Sequence, residues 1–210
     1  MTILILTGAA LALLYGVWFC WRGESWPRSL IKTASVVLPA LALSMMGLPL
    51  LALAGLWACA LGDFLLSRPG ETTLKAGIGA FALGHVFYVL AFLAVWPIGA
   101  PDALFWVVGV ALLLLGLSTE RWLSPHTGEL RGVVRGYVVL ILLMGITAAL
   151  PGGPRVWVLA GALSFVASDL ILSTQLFLGR ESRTAAHAIW ALYWAAQALI
   201  LYGFYAFAAS

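Results

Sequence analysis

Two aspartates stand inside apolar runs of this chain, Asp63 and Asp169, while Asp102 and the five glutamates fall between such runs or at their ends. A charge at the centre of a membrane costs about 2.5–3.5 kcal/mol on insertion scales, so a carboxyl in that setting faces a cavity or a partner. Two carboxyls in unlike surroundings can divide general acid/base work, one giving a proton while the other acts as carboxylate. Other polar residues recur in the same kind of run. Phe81, His85 and Tyr88 fall at i, i+4 and i+7 on one helical stripe, and Trp190, Tyr193 and Gln197 form a second. Ser168 adjoins Asp169, and Arg135-Gly136-Tyr137 opens another run. Each has a plainer reading. A lone histidine is often a packing donor, tyrosines near span ends are often interface anchors, and Lys32 and Arg135 are explained by snorkelling. The aspartates themselves could be structural pairs with an arginine or tyrosine.

The elements that must hold these residues follow from composition. Of 210 residues, 63% are hydrophobic and 9% charged, against about 25% charged in soluble domains. A soluble globular domain is excluded, and so is a disordered or fibrous chain. Two cysteines make no disulfide framework. Runs of about 20 apolar residues are the length of a membrane-crossing helix. Eight are present, roughly 3–21, 29–46, 49–67, 74–96, 103–119, 133–150, 155–178 and 184–208. The expected fold is an all-α membrane protein of eight transmembrane helices in a single domain, 1–210. Eight of nine prolines fall at or between the proposed ends; Pro39 lies inside the second run and predicts a kink.

Ten basic residues, Arg22, Arg28, Lys32, Arg68, Lys75, Arg121, Arg131, Arg135, Arg180 and Arg183, gather at the connections after runs 1, 3, 5 and 7, against Arg155 alone on the other side. This bias places the first set in the cytoplasm and both termini outside it, in the cell (inner) membrane. Basic residues flanking apolar runs suit lipid headgroups and not nucleic acid. Residues 1–19 lack a basic start and a small-residue cleavage site, and read as a retained first span.

An internal match adds a constraint. Leu53-Ala54-Gly55 with Asp63 and Ser67 recurs 106 residues on as Leu159-Ala160-Gly161 with Asp169 and Ser173. A four-span displacement keeps orientation, which predicts a parallel 4+4 repeat with halves 1–102 and 103–210; chance in a Leu/Ala-rich chain is the alternative. Both aspartates then fall in the cytoplasmic half, Asp63 roughly 8 Å above Arg68 and Asp169 roughly 16 Å above Arg180 at about 1.5 Å rise per residue. His85, Tyr193 and Gln197 join them, and the outer half is nearly all apolar. A polar pocket open to the cytoplasm and ringed by cations suits a lysophospholipid, with the headgroup at the rim and the tail along apolar walls.

The ordered set Gly62-Asp63-x-x-Leu66, Gly84-His85-x-x-Tyr88, Tyr137 with Met144, Phe165-x-x-Ser168-Asp169 and Tyr193-x-x-x-Gln197 resembles the YhhN-type lysoplasmalogenase family of eight-span membrane proteins. The resemblance covers about residues 29–203. Thr33 after Lys32 departs from it, where the family pattern has proline. The resemblance implies hydrolysis of the vinyl ether bond of lysoplasmalogens to a fatty aldehyde and glycerophosphoethanolamine or glycerophosphocholine. Asp63, Asp169 and His85 would then be catalytic, with Lys32, Tyr88, Arg135, Tyr137, Ser168, Tyr193 and Gln197 binding substrate. Protonating a vinyl ether carbon and activating water needs an acid and a carboxylate, the division used by glycosidases. No cofactor is expected, and no Gly-x-Ser-x-Gly elbow is present. Two other readings remain: a proton-coupled transporter, which also uses intramembrane carboxylates, and a metal-dependent hydrolase with Asp63, His85 and Asp169 as ligands. The second lacks any H-x-x-x-H or H-E-x-x-H spacing.

Overall fold

The computed structural model describes residues 1–208, which form eight α-helices and, among the described residues, no strand. In chain order they are α1 (Thr2–Leu14), α2 (Trp26–Met45), α3 (Leu50–Leu66), α4 (Glu71–Val95), α5 (Ala103–Trp122), α6 (Arg131–Ala148), α7 (Arg155–Leu178) and α8 (Arg183–Ala208). All eight expected apolar runs are helices. Seven, counting α1 with the turn that extends it, are long and apolar enough to cross a membrane. The exception in length is α3, apolar but of 17 residues, at the lower limit of about 17–25 for a crossing helix.

Two local features depart from plain hydropathy. The first run changes winding at Tyr15–Phe19, a π-helical turn with no proline to announce it; such turns often accompany functional positions. The helix α2 continues through Pro39, and Gly8 of α1 lies against the Pro39 ring, leaving no room for a Cβ.

The chain divides into two compact units, Met1–Tyr88 and Val89 onward. In the first, α1 packs on α2 and α2 on α3. Glycines bring α3 and α4 together: Gly55 faces the Tyr88 ring, Gly62 the Phe81 ring, and Gly84 the Cys59 sulfur. Small residues at crossings are how membrane helices approach closely when lipid offers no hydrophobic drive.

In the second unit α7 and α8 make the broadest contact, and α6 packs on α5 and α7. Gly161 of α7 sits against α8 backbone; a Cβ there would lie 2.9 Å from the Ala196 carbonyl oxygen and 3.0 Å from the Ile200 nitrogen. Backbone cannot yield as a side chain can. Gly161→Ala is expected to cost about 1–3 kcal/mol, read by thermal unfolding in detergent. Gly136→Ala, with nothing within 4 Å of the new carbon, serves as the control and should not lower the transition, since alanine is favoured over glycine inside a helix by about 0.5–1 kcal/mol.

The end of this unit where α7 begins is tied by polar contacts between loops. Gly99 donates its N–H to the Pro151 carbonyl at 2.7 Å, and Gly152 takes a positive φ of 130° beside Pro97. Asp102 caps α5 by accepting from the Phe105 N–H at 3.0 Å. It also pairs with both terminal nitrogens of Arg155 at 2.6 and 2.8 Å. The Arg155 hydrogen bonds, and then the Phe105 amide, hold the Asp102 carboxyl well below the usual carboxylate range. A lowered carboxyl contributes stability above its unfolded value, about pH 4, and loses it as pH falls toward the folded value. Asp102→Asn keeps the cap, since asparagine caps as well as aspartate. The variant is expected to unfold slightly earlier than the parent at pH 7, with the gap beginning to close below about pH 4 and closing further as pH falls toward the folded value. A gap that persists at low pH would mean the ion pair is not the cause.

Candidate functional site

In the first unit, Asp63 is carried in the last turn of α3, three residues before its end, and is fully buried. Lys32, in the second turn of α2, reaches it with Nζ 2.9 Å from Oδ1; the two side chains are 16% and 1% exposed. An ion pair this enclosed is strong only when both partners are present, because either charge left alone is very costly. Beside Lys32, the Thr33 hydroxyl is buried with no hydrogen-bond partner. His85 and Tyr88 are both fully buried on α4. Phe81 and Tyr88 face α3 through Gly62 and Gly55, so the stripe that carries His85 is the stripe turned toward the helix of Asp63.

Below this pair lies a layer that the sequence did not single out. Tyr15, in the π-helical turn, is buried; the Arg28 guanidinium lies 5.8 Å over its ring and donates from Nε to the Phe19 carbonyl at 3.3 Å. Arg68 stacks 4.0 Å over Trp26 and donates to the Ser29 hydroxyl at 3.3 Å. That hydroxyl lies within hydrogen-bond reach of the Ser67 carbonyl, 3.2 Å away. The sequence placed Arg28 and Arg68 among the ten cations at span ends, and such cations are too common for these two to stand out from the rest.

In the second unit the half-buried Asp169 of α7 accepts a short hydrogen bond at Oδ2 from the Tyr137 hydroxyl of α6. Ser168 points elsewhere, donating to the Ile189 carbonyl of α8 at 3.0 Å. Trp190, Tyr193 and Gln197 are buried along α8. Tyr193 meets Phe165 edge-on at 5.4 Å between ring centres. Arg135 is engaged at the surface: its Nε donates to both carboxylate oxygens of Glu120 at 2.9 and 3.1 Å. An open groove of about 660 Å³ adjoins the segment after Asp169, lined by apolar residues including Leu115, Leu170 and Phe177 and also by His126 and Arg180.

Both aspartates thus have partners reached from the preceding helix. Asp63 faces an ammonium from α2, and Asp169 a phenol from α6. Among the described residues, no group of three or more His, Cys, Asp or Glu is arranged to hold a metal ion.

A multi-helix integral membrane protein with two intramembrane carboxyls of unlike partnering is the class these features define. The chain belongs to the YhhN family, whose sequence profile matches residues 2–204. It is 35% identical over 150 residues to proteins named lysoplasmalogenase from Mycobacterium bovis and from Mycobacterium tuberculosis. Those matches cover 70% of this chain and 57% of each relative, so the chain spans little more than half their length. No solved structure gives a significant match.

Proposed function

We propose that this protein is an integral membrane hydrolase that cleaves the vinyl ether bond of lysoplasmalogens, releasing a fatty aldehyde and a glycerophosphoethanolamine or glycerophosphocholine. The observation that carries the reading is the unlike partnering of its two intramembrane carboxyls, Asp63 on Lys32 and Asp169 on Tyr137. Family membership and the naming of the mycobacterial relatives support the substrate class.

The reaction needs a proton donor and a carboxylate. Asp169, whose partner is a neutral phenol, is assigned the donor; it protonates the vinyl carbon one removed from the ether-bearing carbon. The alkene electron pair forms the new C–H bond, leaving an oxocarbenium ion. Asp63, held as an ion pair, is assigned the carboxylate that stabilises this cation and takes a proton from attacking water. The hemiacetal so formed breaks its bond to the glycerol oxygen, giving aldehyde and alcohol with one water consumed. His85, Tyr88, Tyr193 and Gln197 orient water and the ether oxygen, and Ser168 fixes α7 against α8. The distribution of lysine and arginine supports a site mouth facing the cytoplasm. The partnering of each aspartate from its preceding helix supports a repeat of the first four helices in the last four.

The test is aldehyde release by the purified chain in detergent. It is given matched lysolipids whose chain is joined by vinyl ether, saturated ether or ester. Aldehyde from the vinyl ether alone is expected. A folded protein silent on all three would favour the proton-coupled carrier, for which Asp63→Asn should abolish uptake into vesicles.

A further inference from the structure

At the end of the first unit where α2 begins and α3 ends, positive charge exceeds negative. Asp63 is matched by Lys32 and Glu71 by Lys75 at 2.5 Å, while Glu24 is exposed. That leaves Arg22, exposed and 4.2 Å over the Trp18 ring, and Arg28 and Arg68, which are both half-buried and neither paired with a carboxylate among the described residues. Arginine held on an aromatic ring loses little further freedom when it binds, and its planar fork matches the oxygens of a phosphate. The first-turn amide of α2 is already taken, since Arg28 N–H donates to the Ser25 hydroxyl at 3.3 Å.

We propose that Arg28 and Arg68, braced by Tyr15, Trp26 and Ser29, form a subsite for the phosphate ester of the substrate headgroup. This rests on the reading of the chain as a lysophospholipid hydrolase and extends it to headgroup recognition. The spacing agrees. Arg68 follows Asp63 by five residues, three of them helical, about 5 Å of rise to Leu66, and two in the turn that closes α3. In a lysophospholipid five covalent bonds part the phosphorus from the ether oxygen on glycerol, a reach of roughly 6 Å once bonds of about 1.5 Å are projected through their tetrahedral angles. A phosphate on the guanidiniums brings the ether linkage to the depth of Asp63. Arg28 sits one turn before Lys32 on the same face of α2, so the cations lead inward from the mouth to the carboxylate.

The experiment measures equilibrium binding, independent of turnover, of a labelled lysophosphatidylethanolamine with a saturated ether chain to the full chain in neutral detergent. Arg28→Gln and Arg68→Gln are each expected to weaken binding about tenfold to hundredfold, the scale of a lost hydrogen bond to a charged group. Arg121→Gln, an exposed cation of the second unit, should change nothing. A 1-alkylglycerol without phosphate should compete weakly, and equally against parent and variants. Unchanged affinity in both glutamine variants, no binding by the parent, or full displacement by the alkylglycerol would each overturn the subsite. Inorganic phosphate displacing the lipid at an equal concentration would assign the site to free phosphate and overturn the headgroup. Should a glutamine variant fail to fold, Arg28→Lys and Arg68→Lys decide, because they keep charge but lose the paired fork; unchanged affinity in both refutes the proposal. Arginine-dependent binding alongside silence in the aldehyde assay would retain the subsite and remove the hydrolase.

Discussion

Asp169→Asn is expected to lower aldehyde release about 10²–10⁴-fold, the range for removing a positioned general acid. The protein should remain folded, because asparagine keeps the shape of the side chain. Its amide oxygen can still accept from the Tyr137 hydroxyl, so the α6–α7 contact survives while the transferable proton is gone. Tyr137→Phe separates orientation from proton supply. It leaves the Asp169 carboxyl intact but removes the phenol that donates to Oδ2. A positioning role predicts a smaller fall, with the pH dependence of turnover displaced relative to the parent. The measurement is kcat against pH for all three proteins on the vinyl ether lysolipid, with unfolding transitions recorded beside it. An Asp169→Asn enzyme that keeps full turnover would remove Asp169 from the chemistry. A Tyr137→Phe enzyme with unchanged rate and profile would leave the phenol a packing group only.

How much of this could be read from sequence depends on the kind of signal. Helix number came from hydropathy because a span must be apolar over about 20 residues whatever it packs against. Asp63 and Asp169 stood out for the same reason in reverse, since a carboxyl in such a run is expensive enough to demand a cause. The Lys32 and Tyr137 side chains were legible as polar residues near span ends, but their partners were not. Snorkelling and belt anchoring explain a lysine or tyrosine there without any contact, and only the packing of α2 on α3 and of α6 on α7 selects between the two. Arg135 was expected at the rim as a substrate contact, and the structure places it on Glu120. The Arg28 and Arg68 pair went unseen because stacking on Tyr15 and Trp26 joins residues 13 and 42 positions apart. Tyr15 itself is turned inward by a change of helical winding that no proline marks. Gly55, Gly62 and Gly161 stood in the internal match and the motif set, but what each packs against shows only once a neighbouring ring or carbonyl is found where a Cβ would go.

The Lys32–Asp63 pair yields the largest expected effect on stability, and its response separates structure from function. Lys32→Met leaves the Asp63 carboxyl, 1% exposed, without its cation. Stranding a buried charge costs about 3–5 kcal/mol, which for a chain of this size lowers the unfolding temperature by roughly 6–20 °C. The double variant Lys32→Met, Asp63→Leu removes both charges and fills similar volume. Apolar replacement of a whole buried pair is often neutral or stabilising, so most of the lost temperature should return. Thermal unfolding of the parent, both single variants and the double variant in one detergent completes the cycle. Aldehyde release on the same four proteins then supplies the contrast. If the pair only braces α2 against α3, the double variant recovers turnover together with stability. If Asp63 is the carboxylate that receives the oxocarbenium ion, the double variant is stable and inactive. A stable double variant with full activity would reduce Asp63 to a structural role and leave Asp169 as the one aspartate in the chemistry.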